Sequence, residues 1–173
     1  EKPGEKWHYQ SGSTQLMGVI LARATGKSLS EYASEKLWIP MGASDDAEWM
    51  VDDINGVEKA FCCFNSNALD FARFGQLYLD NGKWNGHALV DSAYVAASVK
   101  GDLEAHYGYS WWLYPTAHKY PAFCMRGVNG QYVIVIPELD LVAVRLGHKR
   151  EKRVNKSTID LSLYIEEIIK QYE

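Results

Sequence analysis

Cysteine is scarce in this 173-residue chain, with Cys62, Cys63 and Cys124 as its only examples. An odd count with one adjacent pair is no disulfide framework, and there is no Cys-x-x-Cys, so buried thiols are the simplest expectation. The five histidines are scattered, and no His-Glu-x-x-His or comparable ligand spacing occurs. Nothing in the sequence implies a metal or an organic cofactor. No apolar run reaches the roughly 18 residues of a membrane span. Negative charge outweighs positive: the net charge is -4, which argues against the basic face that nucleic acid requires. The one basic cluster, "KREKRVNK" from Lys149 to Lys156, reads as a solvated turn or, alternatively, a contact surface. Internal repeats and low-complexity segments are absent. The chain opens without Met and without a signal-peptide pattern. "EKPGEKW" reads as the interior of something longer, so the start carries no information about location.

Against these absences stands an ordinary globular composition, 47% hydrophobic and 23% charged, long enough for one domain with a real core. Aromatics make up 13% of the chain and include six Trp. They fill a core first and line a cleft second.

Three regions separate by pattern. Helical spacing dominates from about residue 12 to 100. Ser13 is positioned as an N-cap for a first helix in which Leu16, Val19, Ile20 and Ala24 recur at helical spacing, with Met17 beside them. Gly26 is placed to end it. Ser30 opens a second short helix with Leu29, Tyr32, Ala33 and Leu37 on one side, stopped by Pro40. After a loop-like stretch over 43–66, Asn67 caps a helix with Asp70 in its first turn. Its broad apolar face comprises Leu69, Phe71, Ala72, Phe74, Leu77 and Leu79. Asn81-Gly82 and Asn85-Gly86 mark turns, and "SAYVAASV" is a further short helix. From about 107 to 147 the period changes to two. "YGYSWWLY", "AFCMRG", "QYVIVIP" and "LVAVRLG" read as strands joined by short turns, hence antiparallel. An amphipathic helix over about 157–172 carries Ile159, Leu161, Leu163, Ile165, Ile168 and Ile169. Helices, then a meander, then a helix is an α+β order: an antiparallel sheet flanked by helices.

Several blocks, in order, resemble one family. They are "PGEKWHYQSGSTQLMGVILARATGKSLSEYASEKLWIPMGA", "SNALDFARFGQLYLDNGKWNGHALV", and "YGYSWWLY" followed by "RGVNGQYVIVIPELDLVAVRLG". Together they resemble the C-terminal half to two-thirds of the serine β-lactamase and penicillin-binding-protein-like family. Within it the likeness is to class C-type β-lactamases, related esterases and 6-aminohexanoate-dimer hydrolases. The resemblance covers residues 1–173 as the C-terminal portion of one β-lactamase/DD-peptidase-like domain whose N-terminal part lies elsewhere.

That family uses a Ser-x-x-Lys helix start, a Tyr-x-Asn or Tyr-x-Ser loop, and a Lys-Thr-Gly-type strand. The resemblance places Tyr9-Gln10-Ser11 at the second motif. It implies that Tyr9 is general base and acid, helped by neighbouring positive charge. By itself the tyrosine also reads as an aromatic in a helix-capping region. Ser11, where many members have Asn, would bond the substrate or the lysine. It points away from a true β-lactamase and toward the esterase and amide-hydrolase members. Met125-Arg126-Gly127 stands at the third motif. Gly127 permits close approach of a substrate, Val128 would give an oxyanion N–H, and Asn129, Gly130 and Gln131 complete a turn like that of the 6-aminohexanoate-dimer branch. Arg126 would replace the motif lysine as a carboxylate contact. The same segment is also a plain hairpin turn.

No lysine has a serine three residues before it, so Ser-x-x-Lys is absent from this chain. The resemblance implies a serine hydrolase that acts through an acyl-enzyme on an ester, amide or β-lactam-like bond in a small molecule or peptide. This chain alone would be inactive without the missing part of the domain. The alternatives are a non-catalytic binding domain of the same fold, or a D-Ala-D-Ala carboxypeptidase. The family also implies an extracytoplasmic, periplasmic location.

Overall fold

The structure, a computed structural model, describes residues 2, 4–115, 119–154 and 157–172. Helix α1 (Ser11–Thr25) leads into α2 (Leu29–Ala33), which continues directly as one turn of wider π-helix over Ser34–Trp38. A two-residue ladder, β1 (Glu48–Trp49) with β2 (Phe64–Asn65), precedes helix α3 (Ala68–Leu79). A tight hairpin follows, β3 (Lys83–Trp84) with β4 (His87–Ala88), and then α4 (Ser92–Ser98).

The main sheet holds β5 (Trp112–Tyr114), β6 (Ala122–Arg126), β7 (Tyr132–Ile136) and β8 (Leu141–Arg145), in that spatial order and wholly antiparallel. A short ladder of β9 (Arg153–Val154) and β10 (Ser157–Thr158) introduces the final helix, α5 (Ile159–Gln171).

Both faces of the sheet are covered, which is why β7 is buried at all five positions. Alternation along β7 sends Tyr132, Ile134 and Ile136 to one side. There they meet Leu161, Ile165 and Ile169, spaced four apart on α5. Each fully buried aliphatic side chain contributes about 1.5–3 kcal/mol, so this layer is the main anchor of α5. On the other side Val135, Phe123, Leu113 and Trp111 pack with Tyr78 and Phe74 of α3. The approach is close at Gly75, where an added Cβ would lie 2.6 Å from Val142 Cγ1 and 2.9 Å from Val133 Cγ1. The α+β architecture expected from the sequence is the one found.

Several local expectations are corrected. Helix α1 starts at Ser11, not after a Ser13 cap. Gln10 is extended (φ -136°, ψ 116°), supplies no side-chain cap, and its carbonyl already accepts from the Ser13 N–H at 3.2 Å. The second helix is capped by Ser28 rather than Ser30: the Ser28 hydroxyl accepts from the Glu31 N–H while Glu31 reaches back to the Ser28 N–H. "YGYSWWLY" is a strand only from Trp112, because Ser110 takes a left-handed conformation (φ 68°) that breaks the extended run. Leu69, expected on the buried face of α3, is exposed, as are Ile159 and Leu163 of α5. Cys62 and Cys63 are not buried thiols but are bonded to each other.

Other expectations stand. Gly26 ends α1 with φ 68°, Asn67 caps α3 by accepting from the Asp70 N–H at 2.8 Å, and Asn85-Gly86 turns the β3–β4 hairpin with φ 48° and 81°.

Candidate active site

Tyr9 lies on the extended segment that enters α1, two residues after Trp7, so both rings project to the same side. They meet two aromatics from the start of the sheet, Tyr107 and Trp112. The Tyr9 ring centroid is 5.5 Å from Trp112, 5.7 Å from Tyr107 and 6.5 Å from Trp7. Tyr107 in turn sits 5.1 Å from Trp7 and 4.9 Å from Trp112. Aromatic pairs contribute about 0.5–1.5 kcal/mol each beyond their burial, so three of them outweigh thermal energy and hold the Tyr9 ring in place. The residue nonetheless remains 56% exposed, which leaves it open to a reactant.

Arg126 closes the other side of this cluster. Its guanidinium carbon lies 3.5 Å from the Trp112 ring centroid, and Nη1 donates to the Tyr114 hydroxyl at 3.2 Å. Trp112 is therefore shared by Tyr9 and Arg126, and it brings the two together. Burial and the neighbouring Tyr9 raise the Tyr107 phenol above its ordinary range, against the opposing pull of Ser110 and Arg126. Tyr107 is a neutral wall of the site at physiological pH.

Directly after Arg126 the chain turns from β6 into β7 through residues 127–131. Within the turn the Gly127 N–H donates to the Gln131 carbonyl at 2.8 Å. The Gly130 N–H donates to the Gly127 carbonyl at 3.3 Å, and the Asn129 N–H donates to Gln131 Oε1 at 3.2 Å. Among the described residues the Val128 N–H meets no acceptor, and Val128 itself is exposed. Gly130 has φ 84°, where a side chain would be strained. Ser11 is the exposed first residue of α1, beside this cluster in sequence but outside the ring contacts.

The structure thus gathers Tyr9 with Arg126 and sets the 127–131 turn next to Arg126. Trp7, Tyr107 and Trp112 were not singled out from sequence. Their signal was the alternation Trp7/Tyr9 and the density of rings in "YGYSWWLY", which composition alone assigns to the core. Trp111 does go to the core. No group of three His, Cys, Asp or Glu side chains suited to a metal is found among the described residues. None of their helices is long and apolar enough to cross a membrane.

The antiparallel sheet with one helix on each face is a β-lactamase-like arrangement, shared with solved structures of that fold. The chain belongs to the beta-lactamase family, whose model matches residues 1–163. It is 28% identical over 155 residues to a 6-aminohexanoate-dimer hydrolase of Paenarthrobacter ureafaciens, covering 82% of this chain and 39% of that protein. A solved structure of a candidate 6-aminohexanoate-dimer hydrolase from Bacillus anthracis superposes with TM-score 0.86 at 29% identity, over 99% of this chain and 45% of that one. A β-lactamase structure from Mycobacterium bovis shares the fold, with TM-score 0.73 at 17% identity over 99% of this chain and 66% of that one. The chain therefore spans less than half the length of the two 6-aminohexanoate-dimer relatives.

Proposed function

We propose that this chain carries the tyrosine-and-turn side of a serine hydrolase site, and that the full-length protein cleaves an ester or linear amide through an acyl-enzyme. The observation that carries this reading is the Val128 N–H. It is the donor left over when the other N–H groups of Gly127, Asn129 and Gly130 are spent inside the turn. A buried turn would be expected to satisfy it. An exposed one can offer it to the developing oxyanion of a tetrahedral intermediate.

In this reading a serine supplied by the remainder of the domain attacks the acyl carbon. Tyr9 takes its proton and returns it to the leaving group, and a lysine from the same remainder favours the phenolate. Arg126 would meet a substrate carboxylate. Ser11 orients the substrate or the lysine, and Gly127, Asn129, Gly130 and Gln131 shape the turn that approaches the acyl group. The name of the curated relative favours a linear amide over a β-lactam ring. No cofactor is needed.

A second reading, a binding domain without chemistry, draws on Arg126. Its guanidinium is already engaged by Trp112 and Tyr114, unlike a lysine free to serve a substrate.

Labelling of the full-length protein with a fluorophosphonate separates the two. The hydrolase reading expects stoichiometric labelling, and a Tyr9→Phe variant slowed by about two orders of magnitude or more, the scale of a lost general base. A full-length protein that never labels leaves the binding domain. Labelling at the same rate in Tyr9→Phe removes Tyr9 from the chemistry.

A further inference from the structure

The loop after β8 folds back onto the 127–131 turn and grips it. Arg150 Nε donates to the Val128 carbonyl at 2.6 Å. An Arg145 amino group donates to the Gly130 carbonyl, and its other amino group donates to the Lys149 carbonyl at 3.2 Å. Gln131 Nε2 donates to the Gly147 carbonyl at 2.7 Å. There is no spare room in this contact. An added Cβ on Gly130 would lie 2.3 Å from Arg145 Nη1 and 2.5 Å from the Lys149 carbonyl oxygen, and one on Gly147 would lie 2.6 Å from Arg145 Nη1.

A trans peptide is a rigid plane with its carbonyl at one edge and its N–H at the other. The plane joining Val128 to Asn129 is pinned at both edges, by Arg150 on the carbonyl and by Gln131 Oε1 on the N–H. The plane joining Gly130 to Gln131 is held through its carbonyl by Arg145. Among the described residues the plane joining Gly127 to Val128 is held only at the carbonyl, by the Gly130 N–H, and its Val128 N–H is left unspent. We infer that Arg150 and Arg145 are positioning residues that hold the Val128 N–H aimed at the reacting acyl oxygen. The inference rests on the acyl-enzyme reading above. It gives part of the basic run a specific task, because Arg150 spends a donor on the Val128 carbonyl. Two fixed guanidinium groups beside the turn also favour the negative charge that forms there.

The test uses the full-length protein and compares wild type with Arg150→Ala, reading the fluorophosphonate labelling rate and kcat and KM on an aryl ester. Removal of a direct oxyanion donor costs about 10²–10³ in rate, and loss of its support should cost less, about tenfold or more. The expected result is slower labelling and lower kcat at nearly unchanged KM and unchanged urea midpoint, with part of the loss restored by millimolar guanidinium ion. A variant that labels at the wild-type rate, or one whose deficit lies entirely in KM, overturns the positioning role while the hydrolase reading stands. If the urea midpoint falls, guanidinium rescue decides: recovery supports the clamp and its absence refutes it. A wild-type protein that never labels removes the acyl-enzyme reading, and the clamp's task with it.

Discussion

The three cysteines fall into two chemical states. Cys62 and Cys63 are joined to each other, and Cys63 takes the left-handed backbone (φ 67°) that lets the chain double back there. Cys124 is a free thiol buried in the sheet core, and burial pushes its pKa up to about 12. A thiol that stays protonated and out of contact with water does not react. Thiol titration of the 173-residue chain should therefore give none in the native state, one after unfolding without reductant, and three after unfolding and reduction. Three thiols without reductant would show that the Cys62–Cys63 bond does not form in solution. Adjacency in sequence predicted no bond, since most neighbouring cysteines point apart; the local backbone, which the sequence does not announce, decides it. Trp111 and Trp112 give a similar lesson. Adjacent positions at the start of β5 face opposite ways, but nothing local says which of the two meets α3 and which meets Tyr9. Tyr9 stands out in the sequence only because its neighbours resemble a family motif, not because of any property of a lone tyrosine.

At the level of elements, α3 is held by one buried carboxylate. Asp70, fully buried in the first turn, accepts from the Ser44 N–H at 2.8 Å, the Asp45 N–H at 3.2 Å and Asn67 Nδ2 at 2.7 Å, and pairs with Arg73 at 2.5 Å. Burial alone would raise its pKa. The Ser44 and Asp45 N–H groups, Asn67 and Arg73 together outweigh that and hold it below the ordinary value. A carboxyl depressed in the folded state stabilises the fold above its unfolded pKa, and that contribution is lost as pH falls through the folded pKa. Stability should accordingly decline on acidification below about pH 4, the unfolded range for aspartate. Asp70→Ala should cost about 2–4 kcal/mol near neutrality, since several charge-assisted hydrogen bonds go with it and buried donors are left unmet. It should also flatten the acid decline. Urea midpoints across this pH range check both parts; an unchanged acid slope in the variant would assign the decline to other carboxylates. Asp160, depressed through Thr158 and Tyr132 against its own burial, acts with the same sign. The Asn67 cap and the place of Asp70 could be read from "SNALD". The landing of the 44–45 loop on that carboxylate could not, because it joins residues more than twenty apart with no periodic signal.

The whole molecule is asymmetric in how it treats its apolar surface. The two layers around the sheet are buried, yet α1 turns Leu16 (59% exposed), Met17 (65%) and Ile20 (57%) outward. It buries Gly18 instead, where an added Cβ would sit 2.6 Å from Ala60 Cβ. Sequence periodicity correctly found an apolar stripe on α1 but could not say what it faces. In this chain the contact runs through the small residues on the other side, tied by Gln15 to the Glu58 carbonyl and the Ala60 N–H, both at 2.9 Å. A stripe of this kind normally marks a surface meant to be covered. The 173-residue chain should bind an anilinonaphthalene dye and self-associate, and the double variant Leu16→Lys with Ile20→Lys should do both less without loss of stability. If the remainder of the domain covers α1 in the full-length protein, the same two lysines would there be forced into an apolar contact. They should there cost about 3 kcal/mol or more, because two buried aliphatic side chains are lost and two charges are desolvated. Opposite effects of one double variant in the two proteins would locate α1 at the junction of the domain's halves. Equal tolerance in both would mean that the stripe stays in water and that the remainder of the domain meets this chain elsewhere.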